Sequence, residues 1–273
     1  MTYTRIACLS TEVVETIYLL GAEDRIAGIS GFTVYPARAR KEKPKISGFS
    51  SARIDRILAV QPDLVIAFSD LQADIVAELI RRGIEVHVYN HRDVRGIFEM
   101  IASVAALIGD CTAGERLNAE LERSIAAVRK RVRVDARRPR VYFEEWDEPL
   151  ISGIGWVGEL IAIAGGDDCF PELSRQQSAT GRVIGDPSEV VRRAPDILIA
   201  SWCGKKARVD QIAARPGWSD VPAVREHQLF EIKSADILAP GPSAITRGLA
   251  QMADIVQSWT DVHSTLRVAD RHR

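Results

Sequence analysis

The chain has 273 residues, of which 46% are hydrophobic and 27% are charged, and its formal net charge is −1. This length and apolar content suffice for one large domain or two small ones. The near-neutral charge excludes the strongly basic surface that is typical of nucleic-acid-binding proteins. No apolar run approaches the roughly 18 residues of a transmembrane helix, so the sequence predicts a chain that is not inserted into a membrane.

The N-terminal stretch "MTYTRIACLS" lacks a basic segment followed by an apolar one, so the sequence predicts no signal peptide. We therefore expect a cytoplasmic location, and a periplasmic one if the chain is a trimmed mature form. Cysteines stand at four positions without any C-x-x-C pair, which argues against a zinc or dithiol motif. These positions are Cys8, Cys111, Cys169 and Cys203.

The first third of the chain alternates short aliphatic runs with amphipathic ones. The aliphatic runs, predicted to be strands, are "RIACLS" (5–10), "RIAGIS" (25–30), "PDLVIAF" (62–68) and "IEVHVY" (84–89). The predicted helices are "TEVVETIYLLG" (11–21), "SSARIDRILAVQ" (50–61) and "LQADIVAELIRRG" (71–83). Such alternation predicts an α/β lobe with a parallel sheet.

Two long helical patterns follow, "VRGIFEMIASVAALIG" and "TAGERLNAELERSIAAVRKRVRV". The second has no glycine or proline between Gly114 and Pro139, so it predicts a helix of about 20 residues, roughly 30 Å long. Such a helix either packs on one domain or forms a rigid strut between two.

The α/β alternation resumes after this segment. The predicted strands are "RRPRVYFEEW" (137–146), "PDILIASW" (195–202) and "HQLFEI" (227–232). The predicted helices are "GWVGELIAIAGG" (155–166), "DPSEVVRRA" (186–194) and "GPSAITRGLAQMADIVQSW" (241–259). We predict an N-terminal lobe at 1–93, a bridging helical segment at 94–138, a C-terminal lobe at 139–260 and a polar tail at 261–273.

One phrase occurs twice, as "QPDLVIAFSD" (61–70) and as "APDILIASWC" (194–203). Each copy places Pro-Asp between a predicted helix and a predicted buried strand. Two similar lobes would each use the phrase once. A helix, Pro-Asp and a buried strand is also a common local pattern, so the repeat alone leaves both explanations open.

The stretch "FEEWDEPLISGIGW" (143–156) carries four acidic residues around Trp146, after a predicted buried strand. They are Glu144, Glu145, Asp147 and Glu148. Two of them as a general acid and base would support catalysis, and together they would offer hard oxygen ligands to a metal. The favoured interpretation is a solvated acidic loop beside a packed tryptophan.

The segment "SWCGKK" (201–206) ends the second copy of the phrase. Cys203 stands close to Lys205 and Lys206, and neighbouring cations predict a lowered thiol pKa. No histidine lies nearby in sequence, phosphate-binding glycine motifs are missing, and the histidines lack metal-ligand spacing. We therefore predict neither a catalytic residue nor a metal site.

Aromatic residues follow several predicted strands, a distribution that suits a large flat ligand in a cleft better than it suits catalysis. These residues are Tyr35, Phe49, Phe68, Trp146, Trp156 and Trp202. The turn "ADILAPGPSA" (235–244) leads into a helix start that can contact a ligand.

The order of these motifs, over about residues 4–258, resembles the class III periplasmic substrate-binding protein family for cobalamin, haem and ferric siderophores. The first lobe carries "RIACLSTEVVETIYLLGAEDRIAGIS", then "YP", then "ISGFSSARIDRILAVQPDLVIAF". The second carries "GELIAIAGGDDCF", "PSEVVRRAPDILIAS", "RPGWSDVPAVREHQLFEI" and "APGPSAITRGLAQMA". The resemblance is closest to the cobalamin-binding branch, although Phe68 stands where that branch usually has tryptophan.

The resemblance implies two similar α/β lobes, each with a mainly parallel sheet, bridged by one long α-helix, with the ligand in the cleft between the lobes. Loop positions and the resemblance together give a set of expected ligand-binding residues. The set is Tyr35, Pro36, Phe49, Ser50, Phe68, Glu145, Trp146, Trp156, Trp202, Asp236, Gly241 and Pro242. Glu144, Glu145, Asp236 and Ser243 are expected to meet the corrin amides.

We therefore predict a monomeric protein that binds a corrinoid, cobalamin, without catalysis, for uptake, delivery or intracellular handling. Cobalamin is here a ligand and not a cofactor. The resemblance implies an ABC-transporter permease as partner, docking at Asp74 and Asp210. Two alternatives stay open: a haem or ferric-siderophore binder, and a cytoplasmic enzyme or corrinoid-handling factor using Cys203 or the acidic loop Glu144–Glu148.

Overall fold

A computed structural model describes residues 2–270, with side chains as far as residue 264. The chain divides into two units that we describe separately. Unit 1 contains residues up to 91, with 95–122 and 239–243. Unit 2 contains residues 92–94, 123–238 and those from 244 onward.

Unit 1 is built on a five-stranded sheet in the order β3-β2-β1-β4-β5, and every pairing is parallel. The strands are β1 Ile6–Cys8, β2 Ile26–Ser30, β3 Lys45–Ser47, β4 Leu64–Phe68 and β5 Val86–Tyr89. The two central strands, β1 and β4, are buried along their whole length. This burial explains why they are continuous aliphatic runs and not alternating ones.

Helices follow these strands, and in unit 1 the sequence did not predict β3 or the four-residue helix Ala39–Glu42. They are α1 Thr11–Leu19, α2 Ala39–Glu42, α3 Ile54–Ala59, α4 Ala73–Arg81, α5 Val94–Ile108 and α6 Cys111–Arg131. The predicted long helix is confirmed as α6, which has 21 residues. Its residues are divided between the two units after Glu122.

Unit 2 contains a second sheet in the order β10-β9-β6-β7, with β8 also paired to β6. The strands are β6 Arg140–Asp147, β7 Leu150–Ser152, β8 Asp167–Asp168, β9 Ile197–Ala200 and β10 Leu229–Glu231. All pairings are parallel except that of β7, which returns antiparallel to β6. The sequence analysis missed β7 because its three residues are too few to show a period.

The described residues of unit 2 form seven further α-helices. They are α7 Gly155–Ala164, α8 Pro171–Ser174, α9 Ser188–Arg193, α10 Val209–Ala213, α11 Pro222–Arg225, α12 Ser234–Ile237 and α13 Leu249–Asp270. A π-helical turn, Ala244–Gly248, precedes α13. The last helix continues past Trp259 to Asp270, and the end of the predicted polar tail, residues 271–273, lies outside the described residues. The prediction of two α/β lobes with mainly parallel sheets is confirmed.

The repeated phrase has the same backbone conformation in both units. Gln61 and Ala194, the residues before Pro-Asp, adopt positive φ angles of 47° and 43°. Each follows a short helix, α3 or α9, and a left-handed residue is a common way for a helix to end. The proline that follows cannot continue the helix, so the chain turns directly into the next strand.

The aspartate of each copy then binds the start of the neighbouring strand. Asp63 accepts hydrogen bonds from the backbone N–H groups of Thr4 (2.7 Å) and Arg5 (2.9 Å), just before β1. Asp196 accepts one from the N–H of Arg140 (2.8 Å), the first residue of β6. The backbone N–H of each aspartate also donates to the carbonyl of Arg5 or Arg140. We call this arrangement the Pro-Asp clamp; its presence in both units favours the internal repeat.

We expect Asp196→Ala to lower the free energy of unfolding by about 2–3 kcal/mol, because it leaves a backbone N–H and the Arg137 guanidinium without their acceptor. Asp63→Ala should cost about 1 kcal/mol, since water can replace its more exposed carboxylate. Asp24→Ala, at an exposed position of unit 1, is the control. Urea denaturation followed by fluorescence measures all three.

The Asp63 effect should also depend on pH. Partial burial acts to raise the pKa of Asp63, but the hydrogen bonds from Thr4 and Arg5 hold that pKa below its ordinary value. A depressed folded-state pKa contributes stability above about pH 3.9, the ordinary Asp value, and loses it as the pH falls through the lowered pKa. The difference between wild type and Asp63→Ala should therefore shrink at acidic pH; a constant difference would contradict the clamp.

Candidate functional site

The order of strands in unit 1 places a change of direction beside β1. From β1 the chain proceeds outward to β2 and β3, then returns to β4 on the other side of β1. The loops after β1 and β4 therefore run in opposite directions from the carboxyl edge of the sheet. Open α/β sheets bind ligands at such a point. The predicted loop residues of unit 1 follow the carboxyl ends of β2, β3 and β4.

The side chain of Gln72 links the residue after β1, the loop after β3 and the last residue of β4. Its Oε1 accepts from the backbone N–H of Phe68 (3.0 Å), and its Nε2 donates to the carbonyls of Leu9 (3.2 Å) and Phe49 (2.7 Å). These bonds fix two of the predicted ligand-binding residues, Phe49 and Phe68, relative to the end of β1. The sequence analysis did not identify Gln72, because no local pattern shows that its partners lie up to 63 positions away.

Exposed apolar side chains lie along this edge. Phe49 packs edge-to-face with Phe32 at 6.4 Å between ring centroids. Phe32 remains 51% exposed and Leu71 54% exposed, and Val34 is exposed as well. We call Phe32, Val34, Phe49 and Leu71 the apolar edge of unit 1. Exposed apolar side chains that follow strand ends are candidates for a binding surface.

Three predicted residues adjoin the apolar edge. Tyr35 and Pro36 are partly exposed in the loop after β2, joined by a cis peptide bond, and Ser50 is exposed next to Phe49. Phe68 is different, because it is buried at the end of β4 and its ring meets that of His91 edge-to-face at 5.4 Å. The structure thus places Phe68 below the surface, where it supports the loops around it.

Gly241 and Pro242 lie in the short segment of unit 1 that follows residue 238, and both are buried. A Cβ atom on Gly241 would come within 2.5 Å of the Cβ of Glu12, so only glycine allows the segment to pack against the start of α1. Ser243 then donates its backbone N–H to Glu15 (3.0 Å). These contacts give Gly241 a positioning role.

In unit 2 the acidic loop is not solvated as expected. Glu144 is fully buried and receives two hydrogen bonds from the guanidinium of Arg215, at 2.5 and 2.9 Å. It also accepts from Tyr142 Oη (3.1 Å) and Trp202 Nε1 (3.2 Å). Burial, followed by the charge of Glu144, raises the pKa of Tyr142 well above its ordinary value. The prediction of a solvated loop is therefore wrong for Glu144, whose charge Arg215 neutralises.

Glu145 is paired in the same way. Both of its carboxylate oxygens accept from Arg182, which is only 2% exposed and also donates to the carbonyl of Ser152 (2.6 Å). Two arginines distant in sequence thus occupy the two acids that a general acid and base would need. No local sequence pattern identifies either arginine as the partner of these acids. Among the described residues no group of three or more His, Cys, Asp or Glu is arranged to hold a metal ion.

Trp146 lies partly exposed beside the apolar core of unit 2. The Nζ of Lys205 stands 4.1 Å from the centroid of its ring and 4.8 Å from that of Trp202, and ion-pairs with Asp147 at 2.6 Å. Trp202 itself is buried in the core cluster of this unit. The two predicted tryptophans are thus brought together around Lys205; Trp202 is buried and Trp146 is partly exposed.

Cys203 differs from the expectation of an activated thiol. Partial burial and the negative charge of Glu145 raise its pKa above the ordinary value. The predicted lowering is wrong because Lys205 is held by Asp147 and the tryptophan rings. A raised pKa leaves little thiolate at neutral pH, so the thiol is a poor nucleophile.

The remaining predicted residues lie elsewhere in their units. Trp156 is buried in α7 and donates its Nε1–H to the carbonyl of Ile237 (2.9 Å). Asp236 is buried in α12 and accepts from Gln251 (3.1 Å). Both stabilise unit 2, and their contact with a ligand stays a prediction. The predicted docking residues are exposed in the first turns of their helices, Asp74 in α4 and Asp210 in α10.

We expect Arg215→Met to lower the free energy of unfolding by about 3–5 kcal/mol, because it leaves the buried Glu144 carboxylate without a cation. The double change Glu144→Gln with Arg215→Met should recover most of this loss. Arg208→Met, the same substitution at an exposed arginine, should change stability by less than about 0.5 kcal/mol. Urea denaturation provides the values, and a cost below about 1 kcal/mol for Arg215→Met would contradict the buried pair.

Two curated relatives carry names that refer to vitamin B12. The cobalamin-binding protein of Halobacterium salinarum is 26% identical over 199 residues, which is 71% of this chain and 53% of the relative. The chain thus spans about half the length of that protein. The vitamin B12-binding protein of Vibrio parahaemolyticus is 23% identical over 251 residues, covering 88% of this chain and 85% of the relative.

Solved structures share the fold. The periplasmic vitamin B12 binding protein BtuF of Vibrio cholerae superposes with a TM-score of 0.74 at 18% identity, covering 94% of this chain and 98% of that one. The periplasmic haem-binding protein RhuT of Roseiflexus sp. RS-1 superposes with a TM-score of 0.77 at 24% identity, covering 92% and 98%. No described helix is both long and apolar enough to cross a membrane. Residues 6–235, most of the chain, match the family described as periplasmic binding protein, and the chain belongs to that family.

Proposed function

We propose that this protein binds a corrinoid, cobalamin, and does so without catalysing a reaction. The observation that carries the proposal is the apolar edge of unit 1, which leaves Phe32 and Leu71 about half exposed beside the point where the strand order reverses. A large, partly apolar macrocycle gains free energy by covering such a surface. Two relatives named for cobalamin or vitamin B12 support the same ligand class.

The chemistry of unit 2 supports binding over catalysis. Glu144 and Glu145 are each held by an arginine, so neither is free to transfer a proton. The raised pKa of Cys203 argues against the alternative in which its thiol acts on a bound ligand. Trp146 is partly exposed beside Lys205 and is proposed as an aromatic surface for the ligand.

Haem and ferric siderophores are the second candidate, because a haem-binding protein shares the fold. These ligands carry carboxylates or other anionic groups, which proteins usually meet with arginine. Arg182 and Arg215, which contact the predicted residues Glu145 and Glu144, are already engaged by these acids. This pairing favours the corrinoid, whose periphery carries neutral amides.

Transport is the proposed use of this binding. Asp74 and Asp210 are proposed as contacts with a permease, since both are exposed. The guanidinium of Arg208, 3.6 Å from the Asp210 carboxylate, partly neutralises the charge of Asp210. The similar structures are named as periplasmic proteins, whereas the sequence analysis expected a cytoplasmic location. Uptake and intracellular handling require the same binding site.

Calorimetric titration with cyanocobalamin and aquocobalamin tests the proposal. We expect 1:1 binding, and about tenfold weaker binding for Phe32→Ala and for Trp146→Ala, because each change removes an aromatic contact surface. Leu19→Ala is the matched control, since Leu19 is an exposed apolar residue at the far end of α1 from the apolar edge. It should leave the affinity unchanged.

Each contrary outcome leads to a different conclusion. No binding of either corrinoid by the folded protein would reject the proposal, and tight haem binding in the same protein would support the second candidate. Unchanged affinity in both aromatic variants would mean that the site lies elsewhere. Turnover of a bound corrinoid that is lost in Cys203→Ser would support the enzyme alternative.

A further inference from the structure

Four buried side-chain oxygens at the carboxyl edge of the unit 1 sheet have no hydrogen-bond partner among the described residues. They are Ser10 Oγ, Glu12 Oε1, Thr33 Oγ1 and Ser47 Oγ. Ser10 and Glu12 follow β1, Thr33 follows β2, and Ser47 ends β3, so the four belong to three adjacent strands. Buried polar atoms are almost always hydrogen-bonded, and a group of exceptions at one edge calls for an explanation.

Of the four groups, the carboxylate of Glu12 costs the most free energy to bury without a partner. It is 3% exposed, and its second oxygen, Oε2, has only a long contact of 3.5 Å with the hydroxyl of Thr11. Burial raises the pKa of Glu12 to about 7; its own backbone N–H and the hydroxyls of Ser10 and Thr11 partly oppose this shift, and the charge of Glu15 adds a smaller increase. A carboxylate in such surroundings is a strong hydrogen-bond acceptor for any N–H group that reaches it.

The neighbouring acid, Glu15, has the hydrogen bonds expected of a buried carboxylate with a structural role. Glu15, one turn further along α1, accepts from both the backbone N–H and the hydroxyl of Ser243. The same segment covers Glu12 through Gly241 but offers its Oε1 no donor. The contacts of unit 1 therefore explain Glu15 and leave Glu12 unexplained.

We propose that Ser10 and Glu12 form a subsite for a neutral primary amide of the ligand. Glu12 accepts the amide N–H, and the Ser10 hydroxyl donates to the amide carbonyl. This inference rests on the proposed function, because corrinoids carry primary amides around the ring. A ligand carboxylate at the same place would face Glu12 without a cation and be disfavoured, so Glu12 selects amides over carboxylates.

Cobalamin and its monocarboxylic acids, in which one side-chain amide is hydrolysed, provide the test. At pH 8 we expect the wild-type protein to bind cyanocobalamin at least about tenfold more tightly than one of the acid isomers. Glu12→Gln should bring that ratio close to one, because glutamine offers an N–H group to the carboxylate. Asp24→Asn, the same loss of charge at an exposed position of unit 1, should keep the wild-type ratio.

The outcomes separate the two proposals. If the wild-type protein binds no corrinoid, the proposed function fails and the subsite with it. If it binds cyanocobalamin but Glu12→Gln discriminates as the wild type does, the subsite alone is overturned. Should Glu12→Gln fail to fold by circular dichroism, Ser10→Ala replaces it: several-fold weaker binding of cyanocobalamin supports the subsite, and unchanged binding rejects it.

Discussion

The Pro-Asp clamp is the constraint that aligns two adjacent central strands in each unit. In each unit a left-handed residue ends a helix, proline turns the chain, and an aspartate binds the backbone at the start of the adjacent central strand. This fixes the parallel registers of β4 on β1 and of β9 on β6. Because a register shift would move every strand end, the clamp also determines which residues emerge at the carboxyl edges.

Buried polar groups at the carboxyl edges of the two sheets differ in how they are paired. In unit 2 the acids are neutralised within the unit, by Arg215 on Glu144 and by Arg182 on Glu145. In unit 1 the apolar edge and two buried oxygens without a partner among the described residues, Ser10 Oγ and Glu12 Oε1, belong to the carboxyl edge of one sheet. The edge in unit 2 thus carries internally paired charge beside Trp146, and the edge in unit 1 carries exposed apolar side chains.

The fold is shared with binders of different macrocycles, so the fold by itself does not select a ligand. Selection depends on a few side chains at the strand ends. In this chain Glu12 is a buried acid, and Arg215 is already paired with Glu144. Local charge therefore carries more information about the ligand than overall topology does.

The sequence by itself determined the central strands and the longer helices in their order, because burial on both faces makes β1, β4 and β9 aliphatic and periodicity marks the helices between them. It did not specify short elements such as β3, β7 and β8, whose two or three residues show no period. It also located the loops that follow these strands, and the repeated phrase pointed to two related units. Only the tertiary structure determined which charged side chains are paired with each other. Arg215 and Glu144 are 71 positions apart, and whether an acid is paired, or a thiol such as Cys203 is activated, depends on neighbours that no local pattern specifies.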